Sequence, residues 1–352
     1  MIATPFFTII MSVYNVEKYL YAAVQSILKQ DFTNFELILV DDCSTDSSYG
    51  ICQKLAKIDS RIIILQNKIN KGAASARNIA LPYVKGTYVT FIDSDDYIET
   101  DLLGTAYVHL NKDNIDCLKI GCVEEYFDSK NRHVYSKICK IENGFFDDWD
   151  TIKCKMIEME LIPLFGYVWN AFYRVDIIQK EKIKFNERYA VNEDFIFNIM
   201  YFKVIKNLKC IDYYGYHYNK RINNSLSTKR QNGYYSLHMM KIHEFINAFG
   251  NINNMNDTLK EDVFWLYTRF IYSTLQRKID INEANIQDTI NIIKSDELFK
   301  IYRSIKFKHL NIKKKIMISA LRSNKINVLL QFIKCIGIVK REFPAIFAIL
   351  KR

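Results

Sequence analysis

The chain has 352 residues, 49% hydrophobic and 25% charged, which is a globular composition with length for one large or two ordinary domains. Its eight cysteines include no C-x-x-C pair, which disfavours a cysteine zinc site and indicates a reducing compartment. The first residues lack the basic start and apolar core of a signal peptide, so we expect a cytoplasmic protein.

The net charge of +10 is unevenly distributed along the chain. Residues 301–352 hold 13 Lys and Arg against one Glu, whereas residues 1–200 are mildly acidic. Such a basic segment is typical of contact with an anionic membrane surface or with nucleic acid, and a solvated basic helix face is the plain alternative.

The first hundred residues alternate short apolar runs with helical patterns. Strands are predicted at 6–13, 36–40, 62–65 and 88–92, and helices at 16–28, 47–58 and 72–81. Short links between alternating strands and helices predict an α/β fold with a right-handed, mostly parallel sheet.

Polar clusters follow three of these strands, where ligands bind in such sheets. They lie at residues 12–15, at Asp41 and Asp42, and at residues 93–96. In an extended chain, residues two apart point to the same side, so Asp93 and Asp95 can converge on one point. Paired carboxylates suit Mg²⁺ or Mn²⁺. An acidic surface turn is the alternative for any single cluster, but three clusters at one edge favour a site. The first turn has no glycine, which argues against a dinucleotide fold or a P-loop.

Residues 101–228 are less regular. We predict a helix at 102–110, strands at 117–121, 134–138 and 211–218, and a helix that opens at Glu193 and Asp194. The helix dipole favours acidic residues at a helix N-terminus, so simple capping is the alternative to a functional role for these two residues.

From residue 229 onward the pattern is helical, with amphipathic stretches at 259–275, 285–293, 312–321 and 327–339. No stretch has 18 uncharged apolar residues, so no transmembrane span is expected. Basic residues among Leu, Ile and Phe suit a helix that lies on an anionic bilayer.

Four stretches together identify a family. They read TIIMSVYNVEKYL, SILKQDFTNFELILVDDCSTDSS, NKGAASARNIAL and YVTFIDSDDYIE, and weaker matches follow in VWNAFYR, NEDFIFN and YHYNKRINNSLS. In order and spacing they resemble family 2 glycosyltransferases, the inverting nucleotide-sugar enzymes of the GT-A fold. The resemblance implies a catalytic domain over residues 1–228, with a nucleotide-binding half (1–100) and an acceptor half (101–228). Residues 229–352 then form a helical, basic C-terminal region.

The resemblance implies a role for each matching residue. The nucleotide and diphosphate would be contacted by Ser12, Val13, Tyr14, Glu17, Asp42, Lys71, Gly72, Arg77, Asp93 and Ser94. Tyr14 would stack on the base, and Asp42 would accept a hydrogen bond from it. A divalent metal would be held by Asp93 and Asp95, with a further contact from His217. Asp194 would be the general base.

The resemblance also implies the substrates. The donor would be a UDP-sugar used with Mn²⁺ or Mg²⁺. The acceptor would be a glycan of a capsule, O-antigen, lipooligosaccharide or teichoic acid pathway. Because the basic tail would hold the enzyme against the inner face of the cytoplasmic membrane, we expect this acceptor to be lipid-linked. Members of the family usually carry Pro where Ser12 stands. They often carry Lys at the position of Ala171, and this second difference bears on acceptor contacts.

Other readings stay open for single residues and for the whole chain. Tyr14 could be a core aromatic residue, Asp42 a helix cap, and His217 a packed strand residue. A nucleic-acid-binding protein would use the basic tail but leaves the acidic motifs unexplained, so we expect no nucleic acid partner. A catalytically inactive glycan-binding relative is a further alternative, which the presence of both Asp95 and Asp194 disfavours.

Overall fold

The computed structural model describes residues 4–112, 114–189, 191–221, 234–252, 255–280, 286–323 and 326–342. The chain divides into two compact units, Met1–Arg230 and Gln231–Arg352. The predicted boundary at 228/229 lies outside the described residues, as do residues 343–352 of the predicted basic tail.

The front of the first unit is a four-stranded parallel sheet in the order β3-β2-β1-β4. Its strands are β1 (Phe7–Val13), β2 (Phe35–Asp41), β3 (Ile62–Gln66) and β4 (Tyr88–Phe91). The helices between them are α1 (Leu20–Leu28), α2 (Ser48–Ile58) and α3 (Ala73–Ala80). Strands β1, β2 and β4 are buried almost throughout, as expected of parallel strands covered on both faces.

The rest of the unit adds eight strands and four helices. These are β5 (Tyr97–Ile98), α4 (Leu102–Leu110), β6 (Cys117–Ile120), β7 (Cys122–Phe127), β8 (His133–Cys139), β9 (Gly144–Phe146), α5 (Trp149–Leu161), β10 (Ala171–Arg174), α6 (Val175–Lys180), α7 (Glu193–Phe202), β11 (Leu208–Ile211) and β12 (Tyr216–Arg221). They extend the large sheet beyond β4 in the order β10-β6-β11-β9, with β10 antiparallel to both neighbours. A second sheet has the order β5-β12-β7-β8.

One strand prediction was wrong. Residues 211–218 do not form one strand, because β11 ends at Ile211 in the large sheet and β12 begins at Tyr216 in the second sheet. The chain changes sheets at residues 212–215. Gly215 permits a tight approach there, since a Cβ on it would lie 2.3 Å from the Tyr213 hydroxyl oxygen. Tyrosines on both sides of Gly215 concealed this turn, because they resemble the aromatic pattern of one continuous strand.

The second unit is helical. It contains α8 (Tyr234–Phe249), α9 (Asp257–Asp280), α10 (Ile286–Ser295), α11 (Glu297–Ser304), α12 (Ile312–Arg322) and α13 (Ile326–Glu342). The long α9 packs against α8, α10, α12 and α13, with Phe264, Tyr267 and Leu275 buried. No helix in the described ranges has the length and apolarity to cross a membrane. The mixed sheet followed by a helical region confirms the predicted fold class.

Candidate active site

The loops after β1 and β2 are tied together at the carboxyl edge of the sheet. Asn15, in a left-handed backbone conformation, accepts through Oδ1 from the Thr45 N–H (2.8 Å). Glu17 accepts from the Ser47 N–H (2.9 Å). The two loops that carry the predicted nucleotide contacts therefore form one surface.

Within this surface Ser12 is half-buried and Val13 is buried, whereas Glu17 is exposed. The ring of Tyr14 is 44% exposed, so it is not a core residue. An exposed aromatic face at the sheet edge is compatible with stacking on a base.

Asp42 is 2% exposed and organises the turn before α3. Its carboxylate accepts from Asn67 Nδ2 (2.6 Å) and from the N–H groups of Lys71 (3.0 Å) and Gly72 (2.7 Å). Gly72 has a φ of +86°, a backbone conformation that residues other than glycine rarely adopt. Asp42, Lys71 and Gly72 thus lie together, and both N–H groups that Asp42 binds precede the first residue of α3.

Arg77 is the centre of a buried ion cluster. Its guanidinium, 5% exposed, lies 2.7 Å from Asp194, 3.1 Å from Asp93 and 3.3 Å from Glu193. A planar cation with five donors can serve several carboxylates at once. Arg77 therefore joins the predicted metal motif to the predicted base, which are about a hundred residues apart in the chain.

The acidic motif after β4 contains three carboxylates with different surroundings. Asp93 pairs with Arg77, and Asp95 pairs with Arg221 Nη1 at 3.1 Å while its side chain stays 41% exposed. Asp96 is buried and accepts from the Tyr216 hydroxyl and the Asn219 N–H, both at 2.7 Å. Burial, reinforced by the charge of Asp93, raises the pKa of Asp95 to about 6 although Arg221 opposes it. Ser94, the uncharged residue of the motif, is buried.

Asp194 lies in the first turn of α7. Its Oδ1 accepts from Arg77 Nη1 at 2.7 Å. Burial raises the pKa of Asp194 to about 7 despite the opposing charge of Arg77. A carboxylate with a pKa near neutrality suits proton transfer better than an ordinary aspartate does.

The carboxylates outnumber their partners. Four acids, Asp93, Asp95, Glu193 and Asp194, share two guanidinium groups, those of Arg77 and Arg221, whereas Asp96 is bound by the Tyr216 hydroxyl and the Asn219 N–H. Burial and the charges of Asp95 and Asp93 also raise the pKa of Asp96 well above its usual value. Carboxylate oxygens are the ligands that Mg²⁺ and Mn²⁺ prefer, so this donor set fits a hard divalent cation. However, among the described residues no three His, Cys, Asp or Glu side chains are arranged to hold a metal.

His217 lies among other acids. Its Nδ1 is 2.8 Å from Glu125 and its Nε2 is 2.9 Å from Glu99, and its ring stacks on Tyr97 with centroids 4.2 Å apart. Carboxylates thus engage both ring nitrogens, and the role of His217 as a metal contact stays a prediction.

Three residues that contact the site were not singled out from sequence. Arg221 neutralises Asp95, Tyr216 holds Asp96, and Trp169 stacks on the ring of Tyr216 at 4.3 Å. Their signal was the aromatic and basic character of VWNAFYR and YHYNKR. That character marks a site without showing which partner each residue meets.

Comparison with known proteins places this geometry in a family. The model of glycosyl transferase family 2 matches residues 8–180. An uncharacterized glycosyltransferase EpsJ of Bacillus subtilis is 27% identical over 259 residues, which is 74% of this chain and 74% of that protein.

Two further relatives match over shorter regions. The UDP-Glc:alpha-D-GlcNAc-diphosphoundecaprenol beta-1,3-glucosyltransferase WfaP of Escherichia coli is 49% identical over 90 residues, 26% of this chain and 35% of that protein. The poly(ribitol-phosphate) beta-N-acetylglucosaminyltransferase TarS of Staphylococcus aureus is 38% identical over 117 residues, 32% of this chain and 20% of that protein. These alignments span about a third or less of each relative's length.

Among solved structures, residues 1–349 of S. aureus TarS in complex with UDP-GlcNAc superpose with a TM-score of 0.62 at 20% sequence identity. The superposition covers 96% of this chain and 91% of that one, and it confirms the GT-A-like fold with a helical C-terminal region. Sequence, fold and the acidic site edge agree, and the chain is a glycosyltransferase whose residues 8–180 match glycosyl transferase family 2.

Proposed function

We propose that this enzyme transfers one sugar from a nucleotide sugar to a hydroxyl group of a surface-glycan acceptor, with inversion at the anomeric carbon. The observation that carries the proposal is the Arg77 cluster, which brings Asp93 of the donor-side motif and Asp194 of the acceptor side onto one guanidinium. A direct displacement needs a leaving-group site and one base on opposite sides of the reacting carbon.

The nucleotide-binding half (residues 1–100), called the donor half below, would bind the nucleotide along the sheet edge formed by Tyr14, Asp42 and Lys71. Asp95 and Asp93 would hold a divalent cation, which supplies positive charge to the departing diphosphate. Arg77 adds fixed positive charge beside the same motif. UDP-sugars are the proposed donors, which the complex of the similar TarS with UDP-GlcNAc supports.

On the acceptor half, Asp194 would take the proton of the attacking hydroxyl. Its carboxylate is oriented by Arg77, and its raised pKa favours proton uptake near neutral pH. A single base suffices for inversion, since no covalent sugar intermediate has to be hydrolysed.

The names of the relatives support a surface-glycan acceptor. WfaP acts on an acceptor carried by diphosphoundecaprenol, and TarS acts on poly(ribitol-phosphate). We therefore propose a glycan acceptor of this class, lipid-linked and reached at the inner face of the cytoplasmic membrane.

A panel of nucleotide sugars tests the proposed reaction. The purified chain is incubated with UDP-glucose, UDP-N-acetylglucosamine or GDP-mannose and Mn²⁺, and release of the nucleoside diphosphate is followed. We expect one UDP-sugar to be hydrolysed or transferred, and any transferred sugar to have the anomeric configuration opposite to the donor. Turnover of none of them, or retention of configuration, would contradict the proposal.

The basic C-terminal region supports membrane association. Helix α12 exposes Ile312 (70%) and Ile316 (51%) one turn apart, beside the consecutive lysines 313–315. Exposed apolar residues flanked by lysines suit a helix that lies on anionic lipid.

Sedimentation of the full chain with phosphatidylglycerol vesicles tests the membrane contact. We expect salt-sensitive pelleting that Ile312→Asp with Ile316→Asp abolishes. The control Ile292→Asp changes an equally exposed isoleucine on α10 and should pellet like the wild type. Equal pelleting of all three proteins would exclude α12 as the contact.

A further inference from the structure

Two buried thiols face each other across neighbouring strands of the second sheet. In the antiparallel pair of β7 and β8, Cys122 lies directly opposite Cys139, and the register shift of this pairing lies at its other end, between Tyr126 and Phe127. The strands approach closely beside the two cysteines, since a Cβ on Gly121 would lie 2.6 Å from the Cys139 carbonyl oxygen. Opposite residues in an antiparallel pair have Cα atoms about 4.5–5.5 Å apart, a separation that a disulfide bond can bridge.

The other cysteines in strands face different residues. Cys117 of β6 lies opposite Leu208 of β11, and Cys210 of β11 lies opposite Lys119 and Gly144. The strand register therefore distinguishes the two cysteines of β7 and β8 from the remaining buried thiols of the sheets.

Cys139 has the surroundings of the thiol that reacts first. Its Sγ lies 3.6 Å from Lys137 Nζ, an ammonium group that also pairs with Glu124 at 2.9 Å. A neighbouring cation favours the thiolate, which is the nucleophilic form of a cysteine. Cys139 is 5% exposed and ends β8, the edge strand of the sheet, whereas Cys122 is 1% exposed in the interior strand β7. A small oxidant therefore reaches Cys139 first, and Cys122 is placed to react with the product.

We propose that Cys122 and Cys139 are a reversible oxidation site, at which a peroxide converts the two thiols to a disulfide that joins the edge strand β8 to β7. The Cys139 thiolate attacks one peroxide oxygen, the O–O bond breaks, and a sulfenic acid forms while the other oxygen leaves as water after taking up a proton. The Cys122 thiol then attacks the sulfenic sulfur, so that the S–S bond forms, the S–O bond breaks and a second water leaves. In total, two electrons and two protons pass from the thiols to the peroxide, and a dithiol reverses the reaction by exchange.

The disulfide would strengthen the sheet that supports the acidic motif. The other neighbour of β7 is β12, whose Tyr216 hydroxyl and Asn219 N–H bind Asp96. Closing a loop of about 15 residues restricts the unfolded chain, so oxidation should raise the melting temperature by about 6–12 °C. In a reducing compartment the thiols are the resting form, and disulfides there are typically transient.

Peptide mapping of peroxide-treated protein tests the site. The folded full chain is treated with hydrogen peroxide and quenched, and its remaining thiols are alkylated in denaturant before digestion and mass spectrometry. We expect a cross-linked peptide that joins Cys122 to Cys139, a mass lower by two hydrogen atoms, and reversal by dithiothreitol. If both thiols stay open to alkylation, end as separate sulfonic acids or bond to other cysteines instead, the proposal is refuted.

Two variants separate this pair from the other buried thiols. Cys122→Ser should lose the cross-link and leave Cys139 as a sulfenic acid, which dimedone traps. The matched control Cys210→Ala changes an equally buried strand cysteine and should form the cross-link like the wild type. An intramolecular disulfide that persists in Cys122→Ser would overturn the assignment, and the wild-type map decides the proposal even if this variant does not fold.

Lys137→Met tests which thiol reacts first. Removing the ammonium group should slow disulfide formation about 3–10-fold, because a smaller fraction of the Cys139 thiol is ionised. Lys130→Met removes the same charge from the exposed turn of this hairpin and should leave the rate unchanged. Equal rates in both variants and the wild type would contradict the assignment of Cys139 as the attacking thiol.

Discussion

Replacing Arg77 with methionine is the perturbation whose size the structure fixes best. The change removes a 5% exposed guanidinium that pairs with Asp194, Asp93 and Glu193 at 2.7–3.3 Å. Breaking a buried ion cluster by removing one partner costs about 3–5 kcal/mol. At about 2–4 °C per kcal/mol for a unit of this size, the melting temperature should fall by about 6–20 °C.

The loss should depend on pH with a defined sign. Without Arg77, burial and mutual repulsion raise the pKa values of Asp194 and Glu193 further above those of the unfolded chain. The native state then binds protons that the unfolded state does not bind, so stability is greatest at low pH and falls as the pH rises through the native pKa values. The deficit of Arg77→Met should therefore be larger at about pH 8 than at about pH 5.5.

Thermal unfolding followed by circular dichroism across this range measures the effect. Arg132→Met is the control, since Arg132 is 72% exposed and its solvent-screened pair with Asp128 should contribute little over this pH range. An Arg77→Met deficit as small as that of the control, or one that does not grow with pH, would refute the electrostatic reasoning.

Three further predictions concern the donor half. In the wild type, EDTA should stop sugar transfer and Mn²⁺ should restore it. Asp95→Ala should abolish transfer even with Mn²⁺ present, because a carboxylate ligand of the metal is lost. Full wild-type activity in chelator would exclude the metal. Tyr216→Phe removes a hydrogen bond to buried Asp96 and should cost about 1.5–3 kcal/mol in denaturant unfolding; an unchanged midpoint would show that this bond contributes nothing. Asp42→Ala frees the N–H groups of Lys71 and Gly72 and should weaken UDP binding measured by calorimetry. An unaltered affinity would mean that Asp42 has only a structural role.

The sequence predicts the donor half well because its signals are local. Apolar runs flanked by helical periodicity identify β1 to β4, and parallel strands that end together place the residues after them at one edge. The left-handed conformation of Gly72 and the exposed ring of Tyr14 lie where these loops were expected.

The remaining features depend on contacts between distant residues. Arg77 was expected beside the diphosphate, yet its partners Glu193 and Asp194 lie 116 and 117 residues further on, a pairing that no local pattern reveals. Lys119 stands in a short strand, CLKI, where a lysine suggests solvent exposure, yet its side chain is buried and donates to the Tyr167 carbonyl and to Asn170. The turn at 212–215 was hidden because tyrosines continue through it, so strands of two different sheets resemble one strand in the sequence.

The most direct test of the catalytic assignment compares Asp194→Asn with the wild type in two assays, donor binding by calorimetry and sugar transfer. The amide keeps the shape of the side chain but cannot accept the proton of the acceptor hydroxyl. We predict a fall in turnover of about 10²–10⁴-fold with donor affinity unchanged. Survival of both binding and turnover would contradict the assignment of Asp194 as the base.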